Sequence, residues 1–295
     1  MKLRFLIAGL LTMATLAPHA TAQQRVNRTI TNKEWETPFP GFKIVGNLYY
    51  VGTYDLGCYL IDTGSGLILI NSGAPGSYRL IKTNIEALGF KTGNIRIITT
   101  THGHWDHVGD LASFQKDAPA AKTYVNERDA RVLESGGNLD YRGPQGVIYD
   151  PVKVDMKTRP GDHIKLGNTD MTVLQAYGHT PGANSFSFTV QDGSRKYNVL
   201  IVNMNGINAG VKLLGSPGYP TIVEDFKNTL AMQATYKPEI WVSSHAGQFN
   251  LHKVYKPGDP YNPSRFGDLA AYKAKIADLQ AAYQKQLAEE RAAAK

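Results

Sequence analysis

Cysteine is almost missing: the 295 residues carry one, Cys58. A lone thiol closes no internal disulfide, so no crosslink holds this fold together. Cys58 sits in the strand-like run Gly57-Cys58-Tyr59-Leu60-Ile61 and is expected to be a buried small hydrophobe. Long apolar runs are also scarce. The stretch from Phe5 to Leu16 is too short to span a bilayer. It follows Lys2 and Arg4 and precedes Ala20-Thr21-Ala22, the order of a secretory leader cut before Gln23. The expected organisation is therefore a leader over residues 1–22, then a single domain over residues 23–295. No membrane anchor is expected, and the destination is periplasmic. Concentrated basic charge is lacking as well. The chain carries 32 Lys and Arg against 25 Asp and Glu, a formal charge of +7, and the leader takes Lys2 and Arg4 with it. What remains is scattered, without a basic stripe interleaved with aromatics, so nucleic acid is excluded as the expected partner. Solenoid repeats are absent, and the Ala-rich tail is the one compositionally biased segment.

Histidine, by contrast, is concentrated. Thr101-His102-Gly103-His104-Trp105-Asp106-His107 packs three imidazoles and a carboxylate into a short stretch that core packing does not require. Nitrogen and oxygen donors in this mixture suit zinc. Upstream lies the β-branched run Ile95 to Thr101; downstream, Val108, Leu111 and Phe114 recur at helical spacing. The cluster thus sits on a strand-to-helix connection. His102 and His104 alternate along an extended segment and can point the same way, whereas the adjacent Asp106 and His107 must diverge. That geometry suits two ions side by side, about 3.5–4 Å apart. Two further histidines, His179 and His245, stand at strand ends in turn-like contexts, where site residues concentrate. His163 and His252 have charged neighbours and read as surface residues.

Before the cluster, short strands are expected at 42–45, 48–51, 58–62 and 67–71, then a helix with the stripe Tyr78, Ile81, Ile85 and Leu88. After it come a strand at 122–125, a helix at 127–133 and a loop over 138–157. A second strand series follows at 171–174, 185–190, 197–202 and 240–243. Between its last two members, Ile222, Phe226 and Leu230 mark a helix, with Thr221 and Glu224 placed as a capping box. Leu269, Tyr272, Ile276, Leu279, Tyr283 and Leu287 make the tail a long helix, read as packed across the domain rather than as a dimerising coiled coil. Two similar halves, each strand-rich and each ending in helices, imply two mixed sheets packed face to face with helices outside.

These residues resemble the metallo-β-lactamase superfamily, a family of zinc hydrolases with an α/β fold, the αββα four-layer sandwich. Its motif H-x-H-x-D-H is complete at His102, His104, Asp106 and His107, and its later ligands match His179, in a G-H-T-x-G setting, and His245. Leu67 to Gly73, Ser135-Gly136-Gly137 and Ser244-His245 look like the third subclass of the true β-lactamases. The resemblance covers residues 42–263. It implies two Zn2+ ions per chain. His102, His104 and His179 would hold the first; Asp106, His107 and His245 the second. Asp106 would also orient the attacking water, as the catalytic carboxylate. The implied function is hydrolysis of the β-lactam amide bond of penicillins, cephalosporins and carbapenems, a route to antibiotic resistance. The implied partner is a small-molecule β-lactam, and a monomer is expected. Many relatives with other substrates carry a metal-bridging Asp after the strand that here ends in Val202-Asn203, and this chain has none there. Met204 stands where some members of the subclass place a substrate-touching Ser, which leaves Asn205 and Lys212 as candidates for holding the substrate carboxylate. The alternative is another exported metallohydrolase of the same fold, acting on a lactone, thioester or phosphoester.

Overall fold

The computed structural model describes residues 32–142, 149–204 and 206–295. The leader assigned to residues 1–22 and the candidate Asn205 lie outside the described residues.

The first half of the chain builds one sheet and the second half another. In the first, β1 (Phe42–Val45), β2 (Leu48–Tyr50), β3 (Tyr59–Asp62), β4 (Leu67–Ile70), β5 (Ile95–Thr99), β6 (Lys122–Asn126) and β7 (Met156–Thr158) lie side by side in chain order. Pairing is antiparallel from β1 to β4 and parallel from β4 to β7. The parallel part needs crossovers. They carry α1 (Tyr78–Ala87), α2 (Trp105–Val108), α3 (Leu111–Asp117) and α4 (Glu127–Glu134). In the second sheet, β8 (His163–Leu166), β9 (Thr169–Gln175), β10 (Asn184–Asp192) and β11 (Arg195–Val202) form an antiparallel meander, and β12 (Ile240–Ser243) adds parallel to β11. The β11–β12 crossover carries α5 (Ile222–Gln233); α6 (Leu251–Val254) and α7 (Leu269–Ala293) follow.

Side-chain alternation makes this a sandwich. Tyr59 and Ile61 of β3, with Ile68 and Ile70 of β4, face the second sheet and pack in one core with Val173, Phe186, Phe188, Val199 and Ile201. Their neighbours Leu60, Leu67 and Leu69 face the other way, in a core with Ile81 and Ile85 of α1, Phe114 of α3 and Leu133 of α4. A strand buried on both faces must be apolar throughout, and β4 (Leu-Ile-Leu-Ile) is. On the far side, α5 and α7 pack together through Phe226, Leu230, Tyr283 and Leu287. The layers are helix, sheet, sheet, helix, as the resemblance implies. Cys58 is fully buried in the outer core.

Several local expectations are corrected. The stretch 138–157 is not all loop, since β7 begins at Met156, and β8 adds an edge strand not expected at all. The helix after the histidine cluster is two pieces, broken at Gly109 and Asp110. The Gly109 and Asp110 N–H groups donate to the Gly73 carbonyl (2.9 Å) and the Ser72 hydroxyl (3.1 Å) instead of back along the helix, and a Cβ on Gly109 would lie 2.3 Å from the Pro75 nitrogen. The expected capping box does not form: the Thr221 hydroxyl donates to the Asp225 carboxylate (2.8 Å) and makes no cap to the helix. His252 is not a surface residue. It stacks on Tyr54 with ring centroids 3.7 Å apart, and its Nε2 meets the Tyr54 carbonyl at 2.8 Å. His163 is exposed beside Asp170, as expected.

Candidate active site

The histidines arrive from three chain segments that meet at one rim of the sandwich. Asn71, just past β4, has a left-handed backbone (φ 65) and is fully buried. Its Oδ1 accepts from the Thr100 hydroxyl (3.0 Å) and the Thr101 N–H (2.9 Å), and its Nδ2 donates to the Gly57 carbonyl (3.0 Å). The ends of β3, β4 and β5 are thereby tied together, and His102 leaves β5 from a fixed point. Extended backbone at His104 then turns into α2, which carries Asp106 and His107. His179 sits in the turn between β9 and β10. Gly178 before it has φ 131, and a Cβ there would come within 2.8 Å of the Phe226 ring, so only glycine fits. His245 follows β12, joined to Leu56 by an isolated bridge.

All six expected ligands converge. One ligand atom each from His102, His104 and His179 lies within 4.8 Å of the others, and the same holds for His102, Asp106 and His107. His104 Nδ1 and His179 Nε2 are 3.0 Å apart. Asp106 Oδ2 is 3.3 Å from His107 Nε2 and 3.6 Å from His245 Nε2. His102, His104 and His107 are 4% exposed or less, yet His102 Nε2, His104 Nε2 and both ring nitrogens of His107 have no hydrogen-bond partner. Buried polar atoms are normally satisfied. His102 Nε2 and the His107 ring nitrogens, buried and unpaired beside the Asp106 carboxylate, and His104 Nδ1 set 3.0 Å from His179 Nε2, are lone pairs that a bound cation would satisfy. The residues therefore fit the metal that the motif implies. The donor set, five imidazoles and one carboxylate, suits zinc.

Electrostatics agree. Burial, and then the neighbouring imidazoles, hold His102 and His104 well below the ordinary histidine range. Burial likewise pulls His179 down to about 4. These rings are neutral near pH 7, with lone pairs free to ligate. Burial pushes the Asp106 carboxyl up, but His107, His245 and His104 outweigh it, so the group is ionised throughout the working range.

Carboxylates that the residue patterns did not single out support the ligands. Asp129 on α4 is 1% exposed. It accepts from the Gly103 N–H (2.9 Å), the Gly182 N–H (2.7 Å) and the Thr180 hydroxyl (2.6 Å). It therefore clamps the loop of His102 and His104 to the loop of His179. Asp140 lies 3.6 Å from His104 Nε2 and is gripped by Arg142 through two bonds of 3.0 and 2.8 Å. Asp55 accepts from His245 Nδ1 at 2.9 Å. None of the three had a local signal, because each partner is far off in sequence or lies in an ordinary polar loop.

Beside the ligands runs a groove of about 340 Å³ lined by Tyr141, Arg142, Val211, Lys212 and Ser216. Lys212 is exposed there, while Arg142 is committed to Asp140. Met204 is 3% exposed and packs in the intersheet core, so it offers no substrate contact. Trp35 and Trp105 meet edge to face at 5.3 Å on the His245 side.

The metallo-beta-lactamase superfamily model matches residues 57–245. Among solved structures, the chain is similar to the metallo-beta-lactamase GOB-18 from Elizabethkingia meningoseptica. Identity is 43% over 91% of this chain and 100% of that one, with a TM-score of 0.88. A beta-lactamase from Chitinophaga pinensis is 46% identical over 88% of this chain and 98% of its own, at 0.86. The class B3 di-zinc metallo-beta-lactamase LRA-12, from an Alaskan soil metagenome, is 42% identical over the same shares, at 0.85. The chain spans 59% of the length of the first curated relatives it matches, at 31% identity. With the sandwich, the six converging ligands and the model match in agreement, the chain belongs to the metallo-β-lactamase superfamily.

Proposed function

We propose that the protein is an exported zinc β-lactamase that opens the amide bond of penicillins, cephalosporins and carbapenems. The observation that carries the reading is the cluster of His102, His104, Asp106, His107 and His179 with its orphaned nitrogens, which His245 joins through Nε2, 3.6 Å from Asp106. It stands in a chain 42–46% identical, over about nine tenths of its length, to solved β-lactamases. In this reading His102, His104 and His179 hold one Zn2+, and Asp106, His107 and His245 hold the other. Zinc supplies Lewis acidity for the lactam carbonyl and brings the pKa of water towards 7. The neutral imidazoles of His102, His104 and His179 donate lone pairs at no protonation cost. Asp106, ionised by its surroundings, both ligates and accepts a hydrogen bond that aims the attacking water. Cys58 is no nucleophile: it is buried in the outer core, and burial pushes its thiol far above the usual range.

Asn203 favours this reading over a lactone, thioester or phosphoester hydrolase. It is 2% exposed, and its amide faces His102 Nδ1 at 3.2 Å and the Thr101 carbonyl at 3.2 Å. Many relatives with those substrates carry a metal-bridging Asp there; here an uncharged amide braces a proposed ligand instead. Lys212 and Asn205 remain the candidates for the substrate carboxylate. Lys212 is the freer cation of the groove, since Arg142 is paired. Residues 1–22 act as the leader, and the mature domain, residues 23–295, works in the periplasm.

The test is an assay of residues 23–295 with a chromogenic cephalosporin and a carbapenem, first with zinc and then with a chelator. Hydrolysis that the chelator abolishes and zinc restores supports the reading. Faster turnover of a lactone, thioester or phosphoester than of any β-lactam would replace it.

A further inference from the structure

We propose that Asp55 is a positioning residue for the second metal: its carboxylate fixes the tautomer and the ring plane of His245 and so sets the affinity of that ion. The inference rests on the ligand assignment above and concerns a residue that binds no ion itself.

His245 stands between two carboxylates. Its Nε2 faces Asp106 Oδ2 at 3.6 Å, and its Nδ1 meets Asp55 Oδ2 at 2.9 Å. A neutral imidazole carries one proton. With Asp55 accepting at Nδ1, that proton stays on Nδ1, and the Nε2 lone pair is directed at Asp106 and His107. Among the described residues, the other four ligand histidines lack this arrangement. His179 Nδ1 meets the Gly206 carbonyl (2.7 Å), and His102 Nδ1 faces the Asn203 amide and the Thr101 hydroxyl. His104 Nε2 is too far from Asp140 for a hydrogen bond, and the carboxylate nearest His107, at 3.3 Å from its Nε2, is Asp106, itself a proposed ligand.

Asp55 is itself held rigidly. Its Oδ2 also accepts from Trp35 Nε1 (3.1 Å), and its Oδ1 accepts from the Gly247 N–H (3.0 Å). The two loops are stitched independently of the carboxylate: the Asp55 carbonyl accepts from the Ala246 N–H (2.6 Å), and the Ser244 carbonyl from the Gly57 N–H (2.8 Å). Removing the carboxylate should thus free the His245 ring without releasing its backbone. Carboxylates behind zinc-bound histidines typically carry about 10–100-fold in metal affinity or activity. Trp35 extends the chain of contacts to the segment before β1, so the residues leading into the domain also bear on the second ion.

The experiment titrates Zn2+ into the metal-free wild type, D55A, D55N and H245A, and records the visible spectrum of each with Co2+. Expected for D55A is one tight ion as in the wild type, and a second weakened by about 10–100-fold. Its Co2+ bands for the second site should shift, and its activity should fall at limiting zinc and recover with excess zinc. D55N, whose amide oxygen still accepts from Nδ1–H, should fall between wild type and D55A, and it carries the test if D55A does not fold. D55A and D55N holding both ions at wild-type affinity, while H245A loses one, would overturn this proposal alone. H245A holding both ions would overturn the ligand assignment and this proposal with it.

Discussion

With Asp129 replaced by alanine, the Gly103 and Gly182 N–H groups and the Thr180 hydroxyl lose their acceptor together. Each buried donor left unpaired costs about 1–3 kcal/mol. Burial holds the Asp129 carboxyl above its usual range, so removing it also returns part of a desolvation penalty. The net expectation for D129A is a loss of about 3 kcal/mol, or roughly 6–12 °C in Tm for a domain of this size, read by thermal unfolding of the metal-free protein. Zinc affinity should fall as well, because the two loops carrying His102, His104 and His179 are no longer clamped. An unchanged Tm would show that the carboxylate is dispensable. His245 poses the opposite case. It is a proposed ligand on the loop that follows β12. H245A should therefore lower kcat/KM by at least about 100-fold with little change in the Tm of the metal-free protein, since loss of a ligand should exceed the 10–100-fold typical of the groups behind one. Activity within tenfold of wild type would remove it from the ligand set.

Among the elements, the turn between β9 and β10 is the most constrained. Gly178 has φ 131, a conformation disfavoured for any residue with a Cβ, and an added methyl would press the Phe226 ring on α5. G178A should cost about 1–3 kcal/mol in stability and displace His179. Urea unfolding reads the first effect and zinc titration the second; wild-type values in both would show that the turn can relax. The same turn illustrates what a residue pattern can and cannot carry. His179 stood out as a candidate because zinc chemistry demands a particular side chain in a recognisable setting. The central strands were legible because burial on both faces leaves a continuous apolar run, as in β4. The edge strand β8 was not: of His163, Ile164, Lys165 and Leu166 only Ile164 is fully buried, too short an alternation to register. The break between α2 and α3 was hidden because it goes with tertiary contacts, the Gly109 and Asp110 N–H groups turning to Gly73 and Ser72. Asp55 and Asp129 escaped notice for the same reason: their partners lie 190 and 53 residues away.

At the scale of the whole molecule, the site is carried by the fold rather than building it. The six proposed ligands stand on α2 and on the segments that follow strand ends, while the core between the sheets is built mainly by apolar side chains of the strands. Chelation should therefore abolish hydrolysis and lower Tm while leaving the far-ultraviolet circular dichroism in place. An ion present at 1,000 times its Kd adds about 4 kcal/mol of apparent stability, which is the size of the drop to expect. Collapse of the secondary structure on chelation would mean that the metal is needed for folding.

The tail helix bears on the assembly. A 25-residue helix at the end of a chain can serve as a coiled-coil arm if its apolar stripe is free. In α7 the stripe is used. Tyr272 and Ile276 lie in the intersheet core, and the Tyr272 hydroxyl donates to the Gln233 carbonyl at 2.9 Å. Further along, Tyr283 and Leu287 close over α5, where the Tyr283 hydroxyl donates to the Val223 carbonyl at 2.9 Å. Near its end, Glu290 accepts from the Leu213 and Leu214 N–H groups, which ties the helix to the segment forming the groove wall. Among the described residues, the exposed large hydrophobics Leu139, Met156 and Tyr261 are scattered rather than gathered into a patch. A helix so engaged would have to leave its own domain before it could pair with a copy. Light scattering on the purified mature protein at micromolar concentration should give the mass of one chain. Alanine at Tyr272 should lower Tm by an amount in keeping with about 3–5 kcal/mol without changing that mass. A two-chain mass that Y272A abolishes would show that the helix joins protomers instead.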